Sequence, residues 1–168
     1  RTFDAVADRY VREVIPGKAP RTRLDNIGEL DRLRSVFGKV LIDSIKPSHV
    51  RQHLDKRGEK AKARANRDKA LLSHIFNKAR EWGYTDATNP CQGVKGFTEK
   101  GRDRYVTDSE FEAVHKAAHP TVADAMELAL LTGQRPADVL KIQRTDIRDG
   151  ALWITQNKTG TKRAIEVT

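Results

Sequence analysis

Residues 128–168 read LALLTGQRPADVLKIQRTDIRDGALWITQNKTGTKRAIEVT, and along this stretch the hydrophobic spacing changes from that of helices to that of strands. The first half is apolar at helical intervals and reaches Gly133, a residue type that commonly ends a helix in the left-handed conformation. In the second half, residues 151–155 and 163–167 have strand character, and the polar residues 157–161 between them favour a turn. The stretch therefore predicts helices followed by a small antiparallel sheet.

Arg135 lies at the break between two of these helices. Pro136 suits the first turn of the second helix because its missing N–H would be unpaired there anyway, and Asp138 adds a carboxylate beside the free amides. A guanidinium at such a helix start adds a permanent charge to the positive end of the helix, an arrangement that binds phosphate well. The alternative interpretation is that Arg135 only pairs with Asp138 or caps the preceding helix.

Lys158 falls in the predicted turn between the two strands. A second turn is indicated by Asp149-Gly150, a dipeptide typical of tight hairpins. Most lysines at such turns are simply solvated, and Lys158 considered alone fits that description as well.

Together these residues resemble the start of the catalytic domain of the tyrosine recombinases, the phage-integrase family of site-specific DNA recombinases. In that family the segment L-L-x-T-G-x-R-x-x-[ED]-[LV]-L-x-L carries the first catalytic arginine, and LALLTGQRPADVLKI matches it with Arg135 and Asp138. The segment ITQNKTGTKRAIEV puts Lys158 where the family has a catalytic lysine, in the second hairpin of a three-stranded sheet. The segment TGQRPADVL is especially similar to prophage integrases. These also begin the catalytic domain with a segment like the one from Tyr105 to Phe111.

The resemblance implies transesterification at a DNA phosphodiester, with a tyrosine hydroxyl as the nucleophile and with neither a metal nor another cofactor. Fixed cations must then neutralise the charge that develops on the phosphate. Arg135 would hold nonbridging oxygens, Lys158 would protonate the departing deoxyribose oxygen, and Asp138 would support the arginine structurally.

The nucleophile itself is expected outside this sequence. The family places an H-x-x-R box, a further His or Trp and the reactive tyrosine well beyond the lysine, whereas Tyr10, Tyr84 and Tyr105 all precede Arg135. We interpret these three tyrosines as packing or hydrogen-bonding residues. The chain is therefore expected to be a piece of a longer recombinase and not to cleave DNA by itself.

Charge points to DNA independently of the resemblance. Residues 1–100 hold 22 Lys/Arg against 13 Asp/Glu, so the whole net charge of +9 comes from this part. Residues 56–69 read KRGEKAKARANRDK and lead into a helix, which favours salt-dependent contacts with duplex phosphates. The candidate DNA-binding residues are Lys60, Lys62, Arg64, Asn66, Arg67 and Lys69. The alternative is a solvated basic surface without a partner.

The first hundred residues have helical patterns throughout. We predict helices over 3–14, 22–37, 47–54 and a long one ending at Gly83, with a core-facing stripe on the second helix. That predicted stripe consists of Leu24, Ile27, Leu30, Leu33 and Val36. On the long helix, Leu71, Leu72, Ile75, Phe76 and Ala79 are expected to face the core.

This order of helices resembles the four-helix, SAM-like core-binding domain of the same family. We therefore predict a mainly α chain with a core-binding domain over 1–95, a linker over 96–106 and an incomplete α+β catalytic domain over 107–168. In the linker region, KGFTEKGRDR is rich in charge and glycine. The parent protein is expected to act on double-stranded DNA as a homotetramer.

Composition excludes several other classes. No apolar run is long enough for a bilayer, no signal peptide is visible, and the single Cys91 allows no internal disulfide, so a cytoplasmic protein without a membrane partner is expected. The five histidines are scattered, and although His49 and His53 have a possible ligand spacing, no Glu lies between them and no third ligand is evident, so no metal is expected.

Two alternative functions stay open. One is a noncatalytic DNA-binding regulator or a decayed integrase remnant that keeps the DNA surface. The other is a metal-dependent nuclease, which needs a group of carboxylates, and Asp138, Asp146 and Asp149 are the nearest candidates.

Overall fold

The computed structural model describes residues 1–101 and 103–167 of the chain, which divides into two compact units, Arg1–Gly101 and Arg102–Thr168. The division falls inside the predicted linker. Arg102 of that linker, and Thr168 at the end of the predicted catalytic part, lie outside the described residues.

Unit 1 contains three α-helices: α1 (Phe3–Glu13), α2 (Pro20–Phe37) and α3 (Pro47–Glu81). The Thr2 hydroxyl caps α1 by accepting from the Ala5 amide, while α2 and α3 each begin with a proline whose missing N–H costs nothing there. Short 3₁₀ turns at Ile15–Gly17 and Ile42–Ser44 join the helices.

The predicted third and fourth helices are two arms of the single helix α3. No loop separates them, because residues 55–60 (DKRGEK) lack proline and are mostly good helix formers. The helix instead bends at Ala61, whose φ of −159° and ψ of 82° lie outside the helical region. The basic stretch 56–69 therefore surrounds a bend within a helix.

The core of unit 1 forms where α1 and α2 pack on both arms of α3. Phe3 and Phe37 meet edge to face with ring centroids 6.2 Å apart. The long-helix face was predicted correctly, since all five of its apolar residues are buried. The largest fully buried apolar side chains are Tyr10, Phe3, Phe76, Leu30, Leu33, Ile42, Leu54, Leu72, Ile75, Val6 and Val50.

The predicted stripe on α2 is wrong in part. Leu30 and Leu33 are buried together with Phe37, but Leu24 is 70% exposed and Val36 is 51% exposed. The physical reason is that a step of three residues rotates about 300° around a helix, so five positions at that spacing spread over about 240°. Such a set cannot face one core.

Unit 2 contains α4 (Asp108–Ala117), α5 (Pro120–Thr132), α6 (Pro136–Val139) and a three-stranded sheet. Thr107 caps α4 in a reciprocal capping box with Glu110. Helix α5 ends at Gly133, whose φ of 63° is left-handed as predicted.

The sheet has the antiparallel order β1 (Ile147–Arg148), β2 (Ala151–Thr155) and β3 (Lys162–Glu166). Asp149 and Gly150 between β1 and β2 both have positive φ, of 52° and 70°, which is the geometry of a tight I′ turn. In the second hairpin Thr155 is paired with Lys162, so the turn contains residues 156–161.

None of the described helices combines the length and the apolar character needed to cross a membrane.

Candidate functional site

Arg135 is the N-cap residue of the short helix α6. Its backbone is extended, and its carbonyl accepts from the amides of Asp138 at 2.8 Å and Val139 at 3.0 Å. The predicted helix start at Arg135 is therefore confirmed. The left-handed Gly133 lets the chain reverse direction before Arg135, whose side chain remains exposed.

Asp138 ties this helix to the second hairpin. Its carboxylate is buried, and Oδ1 accepts from the backbone amide of Asn157 at 2.7 Å. The side-chain amide of Asn157 donates in turn to the carbonyl of Ala137 at 3.1 Å. Asp138 thus holds the residue next to Lys158. Over the part of the chain that the structure describes, no ion pair joins Asp138 to Arg135, in contrast to the alternative interpretation above.

A second tie connects the residue just before Arg135 with the first residue of the turn. The side-chain amide of Gln156 donates to Oε1 of Gln134 at 2.9 Å, and Gln134 is buried and donates to the carbonyl of Thr132 at 3.1 Å. This pair was not predicted from the sequence, because a contact between glutamines 22 positions apart leaves no signal in spacing. The only hint is that Gln134 is polar and directly precedes the arginine.

Lys158 lies in the turn between β2 and β3, as predicted. The turn is closed by bonds from the Gly160 amide to the Gln156 carbonyl at 2.8 Å and from the Gln156 amide to the Thr161 carbonyl at 2.9 Å. The Lys158 side chain is exposed, and among residues 1–101 and 103–167 neither it nor Arg135 pairs with a carboxylate. Two polar contacts, Asp138 with Asn157 and Gln134 with Gln156, thus connect the backbone segments that carry Arg135 and Lys158.

A polar groove of about 490 Å³ lies beside these ties, between the end of α5 and β3. Gln134 and Gln156 line it together with Lys162 and Arg163, two further basic residues of β3. The groove, like Arg135 and Lys158, carries positive charge suited to a phosphate.

The exposed members of the basic stretch lie on both sides of the bend in α3. Lys60 and Lys62 flank Ala61, and Arg64 follows one turn later at 3.9 Å from Asp25, with half of its side chain exposed. These three residues form an exposed cationic surface around the bend.

The other three candidates make intramolecular contacts. The Asn66 amide bonds to the backbone of Phe97, Arg67 lies 3.6 Å from Glu99, and the Lys69 ammonium donates to the Val94 carbonyl. A DNA role for Asn66, Arg67 and Lys69 stays a prediction, and it must coexist with these contacts.

A buried ionic cluster connects the two arms of α3. Asp68 is fully buried and accepts from Arg32 of α2 at 2.9 Å, while His53 and Arg57 of the first arm lie 3.4 and 3.5 Å away. Burial disfavours the charged form, but hydrogen bonds from His53 and Arg32 outweigh it, so the pKa of Asp68 is lowered. The cluster holds the bend that presents Lys60 and Lys62.

Two of the three tyrosines have the structural roles that were predicted. Tyr10 is buried, its hydroxyl contacts His74 Nδ1 and Lys18 Nζ at 2.7 Å each, and burial raises the pKa of Tyr10 to about 12. The Tyr84 hydroxyl accepts from Arg9 at 2.8 Å. Tyr105 departs from the prediction, because it is 79% exposed.

The carboxylates considered for a metal-dependent nuclease have separate local roles. Asp138 binds the Asn157 amide, Asp146 accepts from the Gln143 amide at 2.8 Å, and Asp149 occupies the left-handed turn. Within the described residues, no group of three or more His, Cys, Asp or Glu side chains could hold a metal ion.

The chain is similar to known proteins in both sequence and fold. The integrase of Escherichia phage HK022 is 32% identical to the chain over an alignment of 174 positions including gaps, which covers 99% of the chain and 48% of that protein. The integrase of Escherichia phage lambda is 27% identical over an alignment of 169 positions including gaps, which covers 98% of the chain and 47% of that protein. The chain thus spans about half the length of these curated relatives. No protein-family model matches it.

Solved structures agree with these relatives. A lambda integrase dimer bound to a COC′ core site matches 99% of the chain with a TM-score of 0.89 and 26% identity, over 62% of that chain. A lambda integrase tetramer bound to a Holliday junction matches 99% of the chain with a TM-score of 0.88 and 26% identity, over 51% of that chain.

Proposed function

We propose, because this chain belongs to the tyrosine recombinase (phage integrase) family, that it forms the DNA-binding and first catalytic part of a site-specific recombinase. The whole protein would integrate or excise mobile DNA in the cytoplasm and, like the lambda integrase bound to a Holliday junction, would assemble as a tetramer on DNA. Unit 1 would bind duplex DNA, and unit 2 would contribute two of the catalytic cations.

The observation that carries the proposal is the pair of polar ties between the Arg135 helix and the Lys158 hairpin. Asp138 binds the Asn157 amide, and Gln134 binds Gln156, so two cations 23 positions apart in the sequence are held on one framework. A site without a metal ion needs cations whose positions are set before the substrate arrives.

In the proposed reaction a tyrosine hydroxyl outside this chain gives up its proton to a base that also lies outside the chain and forms a bond to the scissile phosphorus. The bond from phosphorus to the deoxyribose oxygen breaks at the same time. Arg135 binds the nonbridging oxygens and offsets the negative charge that grows on them. Lys158 donates a proton to the departing oxygen, which leaves as a hydroxyl group.

Replacing the departing oxygen by sulfur distinguishes the two roles. A thiolate leaves without a proton, so cleavage of the sulfur-bridged DNA by the complete recombinase should tolerate Lys158→Ala. Arg135→Ala should still abolish it, because the phosphate charge remains. The noncatalytic alternative predicts no covalent protein–DNA product with either DNA, and equal loss for both variants on both DNAs would contradict the roles proposed here.

Binding by the chain itself is tested separately. We expect anisotropy titrations of a short duplex to give an affinity that falls steeply with salt, because several phosphates are neutralised and each contributes about 0.9 to the slope of log K against log salt. A shallow slope would contradict a DNA surface on unit 1.

A further inference from the structure

The segment Val94–Glu99, called the docked segment below, runs back along α3 within unit 1. Just before it, the Asn89 side-chain amide donates to the Ser73 carbonyl at 3.1 Å and to Asn77 Oδ1 at 2.8 Å, and Asn89 Oδ1 accepts from the Cys91 amide at 2.9 Å. The chain is therefore already fixed on α3 when it enters the docked segment.

Asn66 forms hydrogen bonds with the centre of the docked segment. Its Oδ1 accepts from the Phe97 amide at 2.8 Å, and its Nδ2 donates to the Phe97 carbonyl at 2.8 Å and to Glu99 Oε1 at 2.8 Å. Both Nδ2 protons are used and the oxygen already accepts a bond. A bidentate contact with adenine needs the same groups, so Asn66 could read a base only by releasing Phe97.

The Phe97 ring packs into a space beside α3, called the socket below, that is open because residue 58 is a glycine without a side chain. Gly58 lies in the first arm of α3, and a Cβ added there would lie 2.3 Å from two atoms of the ring. Gly96 is equally constrained, since an added Cβ would lie 2.7 Å from Asn66 Oδ1. A glycine inside a helix normally destabilises it, and here its place is explained by the ring.

Cations of α3 complete the contact from both arms. The Arg51 guanidinium donates to the Lys95 carbonyl at 3.0 Å and lies 5.2 Å from the Phe97 ring centre, and Lys62 lies 5.9 Å from it. Lys69 donates to the Val94 carbonyl. The Arg67–Glu99 pair is largely exposed and contributes little.

We infer that Asn66, Phe97 and Gly58 form a latch that fixes the start of the interdomain linker on unit 1, and that Asn66 is a positioning residue rather than a base-reading one. The expectation that loss of the latch weakens DNA binding rests on the proposed function. The latch sets the point at which the chain leaves unit 1, so mobility between the units begins after Glu99 instead of at residue 96.

The latch is tested first without DNA, by amide hydrogen exchange in the 168-residue chain. Asn66→Ala should speed exchange of the Phe97 amide about tenfold, because the bond that protects it is lost. Gln52→Ala, an exposed amide on the first arm of α3, is the matched control and should leave this exchange unchanged.

A pair of glycine variants tests the socket. Gly58→Ala should release the ring and speed Phe97 exchange to a similar degree. Gly28→Ala in α2 should not, because the nearest atom to its added Cβ is 3.8 Å away in the flexible Arg32 side chain. Unchanged Phe97 exchange in both Asn66→Ala and Gly58→Ala would overturn the latch.

The positioning role is tested by binding to a panel of duplexes that differ at single base pairs. We expect Asn66→Ala and Phe97→Ala to weaken binding equally on every duplex, and the double variant to lose no more than either single one. A loss confined to one base pair and absent from Phe97→Ala would show base reading and overturn the inference. If the chain bound no DNA, the proposed function would fail while the exchange results still decided the latch.

Discussion

Unit 1 and unit 2 are stabilised in different ways. Unit 1 encloses a single cluster of buried apolar side chains drawn from all three of its helices. In the described part of unit 2, the buried apolar residues are Val139, Ala151, Leu152 and Ile154, and α4 and α5 bury none fully. Polar ties around Asp138 and Gln134 organise unit 2 instead.

The difference separates two kinds of candidate site residue. In unit 1 Lys60 and Arg64 are exposed on a helix whose position is set by apolar packing, so they can be changed without disturbing the fold. In unit 2 Arg135 and Lys158 depend on a few hydrogen bonds, each of which contributes about 1 kcal/mol. We therefore expect mutations in the two units to differ both in the size of their effect on stability and in how far that effect spreads through the structure.

The largest effect is expected in the core of unit 1. Phe76→Ala should lower the free energy of unfolding by about 3–5 kcal/mol, because Phe76 is almost fully buried and its loss leaves a cavity. Tryptophan fluorescence can follow the unfolding of each unit separately, since Trp82 lies in unit 1 and Trp153 lies in unit 2. Urea unfolding of a Trp153→Phe background would report unit 1 alone.

The matched variant in unit 2 is Leu131→Ala. Leu131 is 80% exposed, and its truncation should change the free energy by less than about 0.5 kcal/mol. Similar losses for Phe76→Ala and Leu131→Ala would contradict the contrast between the units.

Asp68→Asn should cost unit 1 about 2–3 kcal/mol near neutral pH, because it leaves Arg32, His53 and Arg57 without their buried carboxylate. The folded state lowers the pKa of Asp68 below its ordinary value of 3.8, so the stabilisation is present above about pH 4 and is lost as the pH falls through the folded pKa. The difference between wild type and Asp68→Asn in urea unfolding should shrink accordingly. A difference that grows on acidification would contradict this assignment.

Asp138→Ala should act locally in unit 2. The Asn157 amide loses its acceptor, so its hydrogen exchange should become about tenfold faster while the unfolding of unit 1 stays unchanged. Asp138→Asn keeps an oxygen in the same place and should retain part of the protection. Equal protection in wild type and Asp138→Ala would show that the hairpin is held by other contacts.

The smallest effect is expected for Leu24→Ala on α2. Leu24 is mostly exposed, so the loss should stay below about 0.5 kcal/mol, whereas Leu33→Ala on the same helix should cost about 2–5 kcal/mol. Urea unfolding of the two variants measures this directly. A large loss for Leu24→Ala would restore the single-stripe prediction for α2.

Local signals account for what could be predicted from the sequence. Gly133, Pro136 and Asp149-Gly150 each demand a particular backbone geometry, so the helix end, the helix start and the hairpin were predicted correctly. The apolar face of the second arm of α3 was also predicted correctly, because its residues recur at intervals of both three and four positions.

What the sequence did not reveal depends on contacts between distant residues. Asn66 and Arg67 were assigned to DNA because they lie in a basic run near the start of the predicted helix, yet their side chains meet Phe97 and Glu99 some 31 and 32 positions later. The bend at Ala61 likewise arises in a segment without proline, where Asp68 ties the second arm to residues of the first arm. Periodicity carries no information about such pairings.

Charge reversal at the bend of α3 tests most directly whether unit 1 is a DNA-binding surface of a recombinase. Lys60 and Arg64 are suitable because both are exposed and neither belongs to the core or the latch, and Arg12 and Lys39 provide an equal charge change elsewhere on unit 1. The measurement is duplex affinity of the 168-residue chain across a salt series. We predict that Lys60→Glu with Arg64→Glu weakens binding at least about tenfold and reduces the salt slope by about 1 to 2, while Arg12→Glu with Lys39→Glu has a much smaller effect. Equal losses for the two pairs would contradict the account, since only the net charge of the chain would then matter.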